Sequence, residues 1–327
     1  MKLITKQVIT AAVMGFAVPW VILVSITSLA SRESKTTGEE SEGRETFSIQ
    51  SSSDISINVV TDGKAESMAL ESYITGVVLA EMPAEFEQDA LKAQAVVART
   101  YALRRLEQGG KHENGPVCTD PNCCQGYRSP EQYISRGGSA EDVAKIEKAV
   151  YDTAGQVLTY EGALIEATYF SCSGGQTEDA MAVWGADIPY LQSTASPGEE
   201  DASHYSDTVT MTVEEFIACV DTRLPADPSD WFGAVTYTAG GGVDTIRIGE
   251  RIYKGTEVRA MLALRSTDFT IRYTGKDIEI VTHGFGHRVG MSQYGADAMA
   301  AAGNSYHEIL THYYQGTQIS DYKAMGN

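Results

Sequence analysis

The sequence predicts an α+β fold, because helix-period segments at both ends of the chain enclose a central stretch of short β-branched and aromatic runs. Neither regular βα alternation nor a repeat of fixed period is visible. With 327 residues, 43% hydrophobic and 21% charged, the chain is long enough for one sizeable or two modest globular domains. The excess of Asp plus Glu, 44 against 25 Lys plus Arg, repels phosphate backbones and excludes nucleic acid as a partner.

The first element is apolar. Val8 to Ala30 carries no charge over 23 residues and follows Lys2 and Lys6. That length spans a hydrocarbon core, and the lysines keep the N-terminus cytoplasmic and everything after Ala30 outside. The competing reading is a cleaved signal peptide ending at Ser28-Leu29-Ala30; the run is longer than a usual signal core, which favours an anchor. Both readings imply export. Residues 31–53 are rich in Ser, Glu, Thr and Gly and poor in large apolar groups, so they read as a flexible linker. The folded domain is expected over 54–327, with its strand-rich portion at about 208–281.

Alternation of Ile55, Ile57 and Val59 predicts a strand. Ile74, Val77 and Val78 then predict a helix from Leu70 to Met82, stopped by Pro83. From Asp89 to Leu106 a second helix carries a small-residue stripe, Leu91, Ala95, Ala98 and Ala102, that permits close packing. A loop dense in Cys, Gly, Pro and Asn fills Lys111 to Arg136, and Ala140 to Tyr151 is helical again. Strands are expected within Gln156–Phe170 and Ala234–Val281, with a helical piece near Val213–Val220. Helices return over Ser292–Ala302 and Ser305–Tyr314, the latter opened by a Ser305/Glu308 capping box.

Glu81 falls on the apolar face of the first helix. A carboxylate there is costly unless it is paired or protonated, and burial raises its pKa into the range where it can protonate a glycosidic oxygen. The alternative is a buried ion pair with Arg99 of the next helix. Ser171 to Thr177 reads as a Gly-rich turn, and Gly284 to Ala296 gathers four glycines around His287 and Gln293, allowing backbone to approach a ligand or simply to make a tight connection.

Three of the five cysteines, Cys118, Cys123 and Cys124, sit within seven positions. With His112 they offer four ligands suited to a structural zinc; a disulfide is the rival outside the cytoplasm, but it would strand a third thiol. Filled by four protein ligands, such a site has no open position for catalysis. Cys172 and Cys219 read as buried packing residues.

The runs Tyr73 to Pro83, Ala90 to Ala102, Tyr169 to Glu178, Val183-Trp184-Gly185, Pro189-Tyr190-Leu191 and His283 to Ala296 resemble the stage II sporulation protein D family of lytic transglycosylases. The resemblance covers nearly the whole exported domain. It implies a central glycan-binding cleft in which Glu81 is the catalytic acid and Arg99 lines the cleft, receiving a lactyl carboxylate of strands already stripped of peptides. It further implies glycan contacts from Ser173, Gly174, Thr177, Tyr190, His287, Gln293 and Tyr294. Relatives described as amidase enhancers imply a second reading, a non-catalytic activator of a peptidoglycan amidase. A partner amidase, a membrane scaffold and a mother-cell membrane facing the septum are implied in the same way. Some members hold zinc at the matching loop through two His and two Cys; Cys123 stands where one His does. The family has Gly after its second histidine, where this chain has Arg288.

Attack by the sugar's own C6 hydroxyl would need no second carboxylate, whereas hydrolysis would need one, for which Glu85, Glu87 and Glu178 are available.

Overall fold

The computed structural model describes residues 55–326, so the anchor expected over 1–30 and the linker over 31–53 lie outside the described residues. No helix among the described residues is long and apolar enough to cross a membrane. The expected alternation buries Ile57 and Val59 in β1 (Ser56–Thr61). Asp62 and Gly63, both at positive φ, then make the tight turn that right-twisted strands favour, into β2 (Lys64–Ala69).

Helices α1 (Leu70–Glu81) and α2 (Gln88–Glu107) form an antiparallel hairpin around the turn at Pro83. The stripe Leu91, Ala95, Ala98 and Ala102 is fully buried. Indeed α2 is buried on almost every side, which is why it lacks a simple amphipathic pattern. Each large aliphatic side chain buried in this way contributes about 1.5–3 kcal/mol.

The cysteine loop is pinned at its start by β3 (Val117–Cys118), which runs parallel to β1 with Val60 opposite Cys118. Helices α3 (Pro130–Ser135) and α4 (Ala140–Asp152) follow, each opened by a serine capping box. The expected strand region then divides into β4 (Gln156–Tyr160), β5 (Ala163–Leu164) and β6 (Tyr169–Phe170), and a short α5 (Ala180–Trp184) comes next.

A second set of elements has its own core. β7 (Ser206–Thr212), α6 (Val213–Cys219), β8 (Phe232–Tyr237), β9 (Val243–Ile248), β10 (Arg251–Lys254), α7 (Gly255–Met261), β11 (Asp268–Tyr273) and β12 (Asp277–His283) bury Phe216, Trp231, Ile246, Ile248, Phe269 and Ile280 together. Two three-stranded sheets, β10-β9-β8 and β11-β12-β7, enclose that cluster. Where strands alone were expected, α7 intervenes, its N-terminus closed by Glu257 bonding back to the Lys254 amide. Cys219 is exposed rather than buried, since α6 turns only Phe216 fully inward.

The chain then rejoins the helical part. β13 (Met291–Ser292) pairs with β6, and α8 (Gln293–Ala301), α9 (Tyr306–Tyr313) and β14 (Gln318–Asp321) complete it. The Ser305/Glu308 capping box forms as expected. Gly290 permits the β6–β13 approach: at φ +85° it leaves room for the Thr168 carbonyl, which would lie 2.1 Å from any added Cβ.

Candidate functional site

Glu81, the last residue of α1, faces a cleft of about 540 Å³ shared by Tyr101, Tyr169, Ser171, Arg259, His287 and Gln293. A second pocket of about 330 Å³ meets the same carboxylate from the other side, walled by Glu85, Arg128, His204, Gln293 and Tyr294. Glu81 therefore stands at the middle of a groove, touched from both wings.

Three polar groups surround it. The Gly126 amide donates to Oε1 at 2.5 Å, and the polar ends of Tyr169 and Gln293 also favour the charged carboxylate. Burial nevertheless outweighs these bonds, and the Glu81 pKa is raised above the ordinary glutamate value. Tyr169 is oriented in turn by Gln125 (3.3 Å), which accepts from Tyr73 (3.3 Å). Among the described residues, Glu81 is the sole acid on the larger pocket's wall, and the smaller adds only the exposed Glu85.

Arg99 does not line the cleft. It is fully buried and grips Glu71 with both arms of its fork, Nε–Oε1 at 3.0 Å and Nη2–Oε2 at 2.6 Å, and it also donates to the Gln156 and Val150 carbonyls. Glu71 lies ten residues before Glu81 on the same helix, roughly 15 Å along its axis. The antiparallel hairpin brings Arg99 to the wrong end of α1 for either a cleft role or a pair with Glu81.

The Gly-rich turn is likewise structural. Ser173 Oγ, Ser173 N and Gly174 N all donate to the buried Glu199, at 2.7, 2.8 and 3.0 Å. Ser196 and Ser292 donate to its other oxygen. Thr177 is buried against Thr194, and Tyr190 packs beside Tyr160 while accepting from the Glu166 amide. None of these four lines either wing of the groove. Glu199, which the sequence reading missed, fixes the Ser171–Gly174 turn against the N-cap of α8 and so sets the position of Gln293.

His287, Gln293 and Tyr294 do reach the groove. The His287 ring packs against Phe170 and Trp184, and its Nδ1 accepts from the Val289 amide. Burial, reinforced by the Arg259 charge, lowers its pKa to about 4, so it is a neutral imidazole. Arg288 beside it adopts φ +65°, the left-handed conformation that glycine takes without strain. Its buried guanidinium spans Glu178 (3.7 Å) and Asp268 (3.6 Å) and donates to the Gln176 and Gly240 carbonyls. Glu178 is thereby engaged inside the protein and does not line the groove; Glu87, exposed at the start of α2, does not line it either.

His112, Cys118, Cys123 and Cys124 come together with all donor atoms within 4.8 Å of one another. His112 Nε2 lies 3.3 Å from Cys124 Sγ and 3.7 Å from Cys123 Sγ. The edges of a tetrahedron with metal–sulfur bonds of about 2.3 Å measure about 3.8 Å, so the donor set fits a tetrahedral thiophilic cation. All five cysteines are free thiols.

A family model described as Stage II sporulation protein (SpoIID) matches residues 61–160. The chain is 40% identical to stage II sporulation protein D of Bacillus amyloliquefaciens over 287 residues, covering 86% of this chain and 83% of that one. It is also 40% identical to that of Bacillus subtilis over 294 residues, covering 88% and 84%. An amidase enhancer of Bacillus subtilis is 29% identical over 309 residues, covering 76% of this chain but 40% of the enhancer. Identity of this extent across most of both partners places the chain in the stage II sporulation protein D family.

Proposed function

We propose that this protein is a sporulation lytic transglycosylase that cuts peptide-free peptidoglycan glycan strands, working outside the cytoplasm from a membrane anchor formed by residues 1–30. The observation that carries the reading is Glu81: a carboxyl with a raised pKa, at the middle of a groove whose larger wing holds no other acid. Neutral, it is a proton donor; after giving its proton it is a base held by the Gly126 amide beside the polar ends of Tyr169 and Gln293.

In the cleavage, Glu81 protonates the glycosidic oxygen as the bond from the muramic acid anomeric carbon breaks. The same sugar's C6 hydroxyl then attacks that carbon and returns its proton to Glu81. The products are a free 4-hydroxyl on the leaving sugar and a 1,6-anhydro end, with no water consumed and Glu81 restored. The absence of a paired carboxylate in the larger wing supports this route over hydrolysis, which uses two acids.

We further propose that His112, Cys118, Cys123 and Cys124 hold a structural zinc, supported by the convergence of their donor atoms. Four protein ligands would close the site, so the ion would staple the loop and do no chemistry. An amidase that strips the strands and a membrane scaffold in the engulfing mother cell complete the proposed setting. The relative named amidase enhancer favours a second reading, a glycan-binding activator without cleavage.

Incubating the full-length chain in detergent with peptide-free glycan and analysing the products by mass spectrometry separates these readings. New 1,6-anhydro ends, lost in Glu81→Gln, are expected. Reducing ends without the anhydro ring would mean hydrolysis, and glycan binding without any products would leave the activator reading.

A further inference from the structure

With Arg99 committed to Glu71, the groove's larger wing still holds one guanidinium. Arg259, on α7, reaches the same 540 Å³ cleft as Glu81 and also walls an adjoining pocket of about 290 Å³. Among the described residues its one side-chain hydrogen bond runs from Nε to the Leu264 carbonyl at 3.3 Å, which leaves the two terminal nitrogens of the fork open. Among the described residues no carboxylate lies within ion-pairing distance of it. In a chain of net charge −19, the half-buried Arg104, Arg105 and Arg265 each hold an acid, whereas Arg259 faces the cleft without one. Nor does the adjacent His287 compete for an anion, since it is neutral. Burial lowers the Arg259 pKa, the mark of a cation kept partly out of water with nothing to offset its charge.

The pocket that Arg259 walls mixes apolar and polar surface. Val183, Ala260, Ala263 and Leu264 supply methyl-sized surface, and Thr256 and Thr267 supply hydroxyls. An open guanidinium fork over such a wall suits a short acid, with a planar carboxylate on the fork and a methyl group against the aliphatic side chains.

We infer that Arg259 and this pocket recognise the free lactyl carboxylate of a muramic acid bound in the wing beside Glu81, making Arg259 the residue that distinguishes stripped strands from peptide-bearing ones. The inference rests on the proposed glycan substrate and adds the group that reads it. In a strand still carrying peptide, the same carboxyl is an amide and has no charge for the fork. Loss of one charge-assisted, bidentate contact predicts roughly 10- to 100-fold weaker binding.

The test measures binding by the full-length Glu81→Gln chain in detergent, which holds strands without cutting them. The two ligands are peptide-free glycan and the same glycan with its carboxyls converted to methylamides. The chain with Arg259 intact should prefer the free carboxylate by roughly 10- to 100-fold. Arg259→Ala and Arg259→Gln should bind the two forms alike, and Arg259→Lys should restore part of the preference. An undiminished preference in a folded Arg259→Gln chain would overturn the inference, as would equal binding of both forms with Arg259 in place. If the chain with Arg259 intact binds neither glycan, and the chain with Glu81 intact cuts neither, the proposed function itself fails.

Discussion

The amide of Gly126 points at Oε1 of Glu81 from 2.5 Å, two residues after Cys124. One loop thus carries both the cysteine cluster and a donor to the proposed acid. A side chain at 126 would intrude directly, since an ideal Cβ there sits 2.8 Å from Oε1 and 3.5 Å from the Ala80 Cβ. Gly126→Ala should therefore displace the carboxyl while leaving the cores untouched. A misplacement on the order of 1 Å costs about 100-fold in rate, so kcat should fall by about that factor with little change in Tm. Wild-type turnover in this variant would remove the loop from the mechanism.

The same linkage would make the site sensitive to the proposed zinc staple. With the proposed zinc bound, chelator treatment, or Cys118→Ser, should release about one zinc per chain, lower Tm and, through the displaced loop, reduce glycan cleavage. Metal analysis of the purified protein together with thiol counting checks this. A chain that arrives without metal and with a Cys118–Cys123 disulfide would instead be held by oxidation.

Glu81 also sets a pH dependence. Its folded pKa lies above the unfolded value, so between the two the folded state binds more protons than the unfolded chain. Stability from this group is then present below the unfolded glutamate value of about 4.3 and is lost as pH rises through the folded pKa. Glu81→Gln, which never ionises, should match wild type in acid and become progressively more stable than it as pH rises. Chemical denaturation of both proteins across that range measures the divergence; parallel curves would mean that the carboxyl is not disfavoured as an anion.

What the sequence made legible follows the length of each signal. Helices α1 and α2 are long enough for periodicity to place them, and Glu81 stood out as the acid on an apolar face. Helices α5 and α7, of five and seven residues, are too short to show a period, and α7 carries Arg259. Arg99 was misassigned because periodicity gives a helix face and not which end of the neighbouring helix that face meets. The donors to Glu81 were hidden for a related reason: Gly126 is 45 residues away and reaches the carboxylate only through the folded loop. Glu199, isolated in a polar stretch, gave no sign of the six donors that surround it.

The position of Arg99 yields its own prediction. With its side chain 0% exposed and that of Glu71 5% exposed, removing one partner leaves an uncompensated buried charge, which costs about 3–5 kcal/mol. Arg99→Ala should therefore lower Tm sharply, and the surviving folded fraction should show an unchanged KM for glycan. A raised KM at unchanged stability would return Arg99 to the groove. Replacing both partners, Arg99→Met with Glu71→Leu, should recover much of the lost stability, because the cost of the single change lies mainly in the orphaned charge.

Arg288 sets two effects against each other. Its φ of +65° costs about 1 kcal/mol relative to glycine, so Arg288→Gly relieves strain. The same change removes the cation from between Glu178 and Asp268 and withdraws donors from two buried carbonyls, a loss of several kcal/mol. The second effect is larger, so Arg288→Gly alone should destabilise the protein. In a Glu178→Gln background, where no buried anion at that position needs the cation, the penalty should shrink, bringing the strain relief closer to balance. Urea titrations of the four proteins in this cycle give the coupling directly. Additive free energies would show that Glu178 does not depend on Arg288, and that this chain keeps arginine at a left-handed position for some reason other than their pairing.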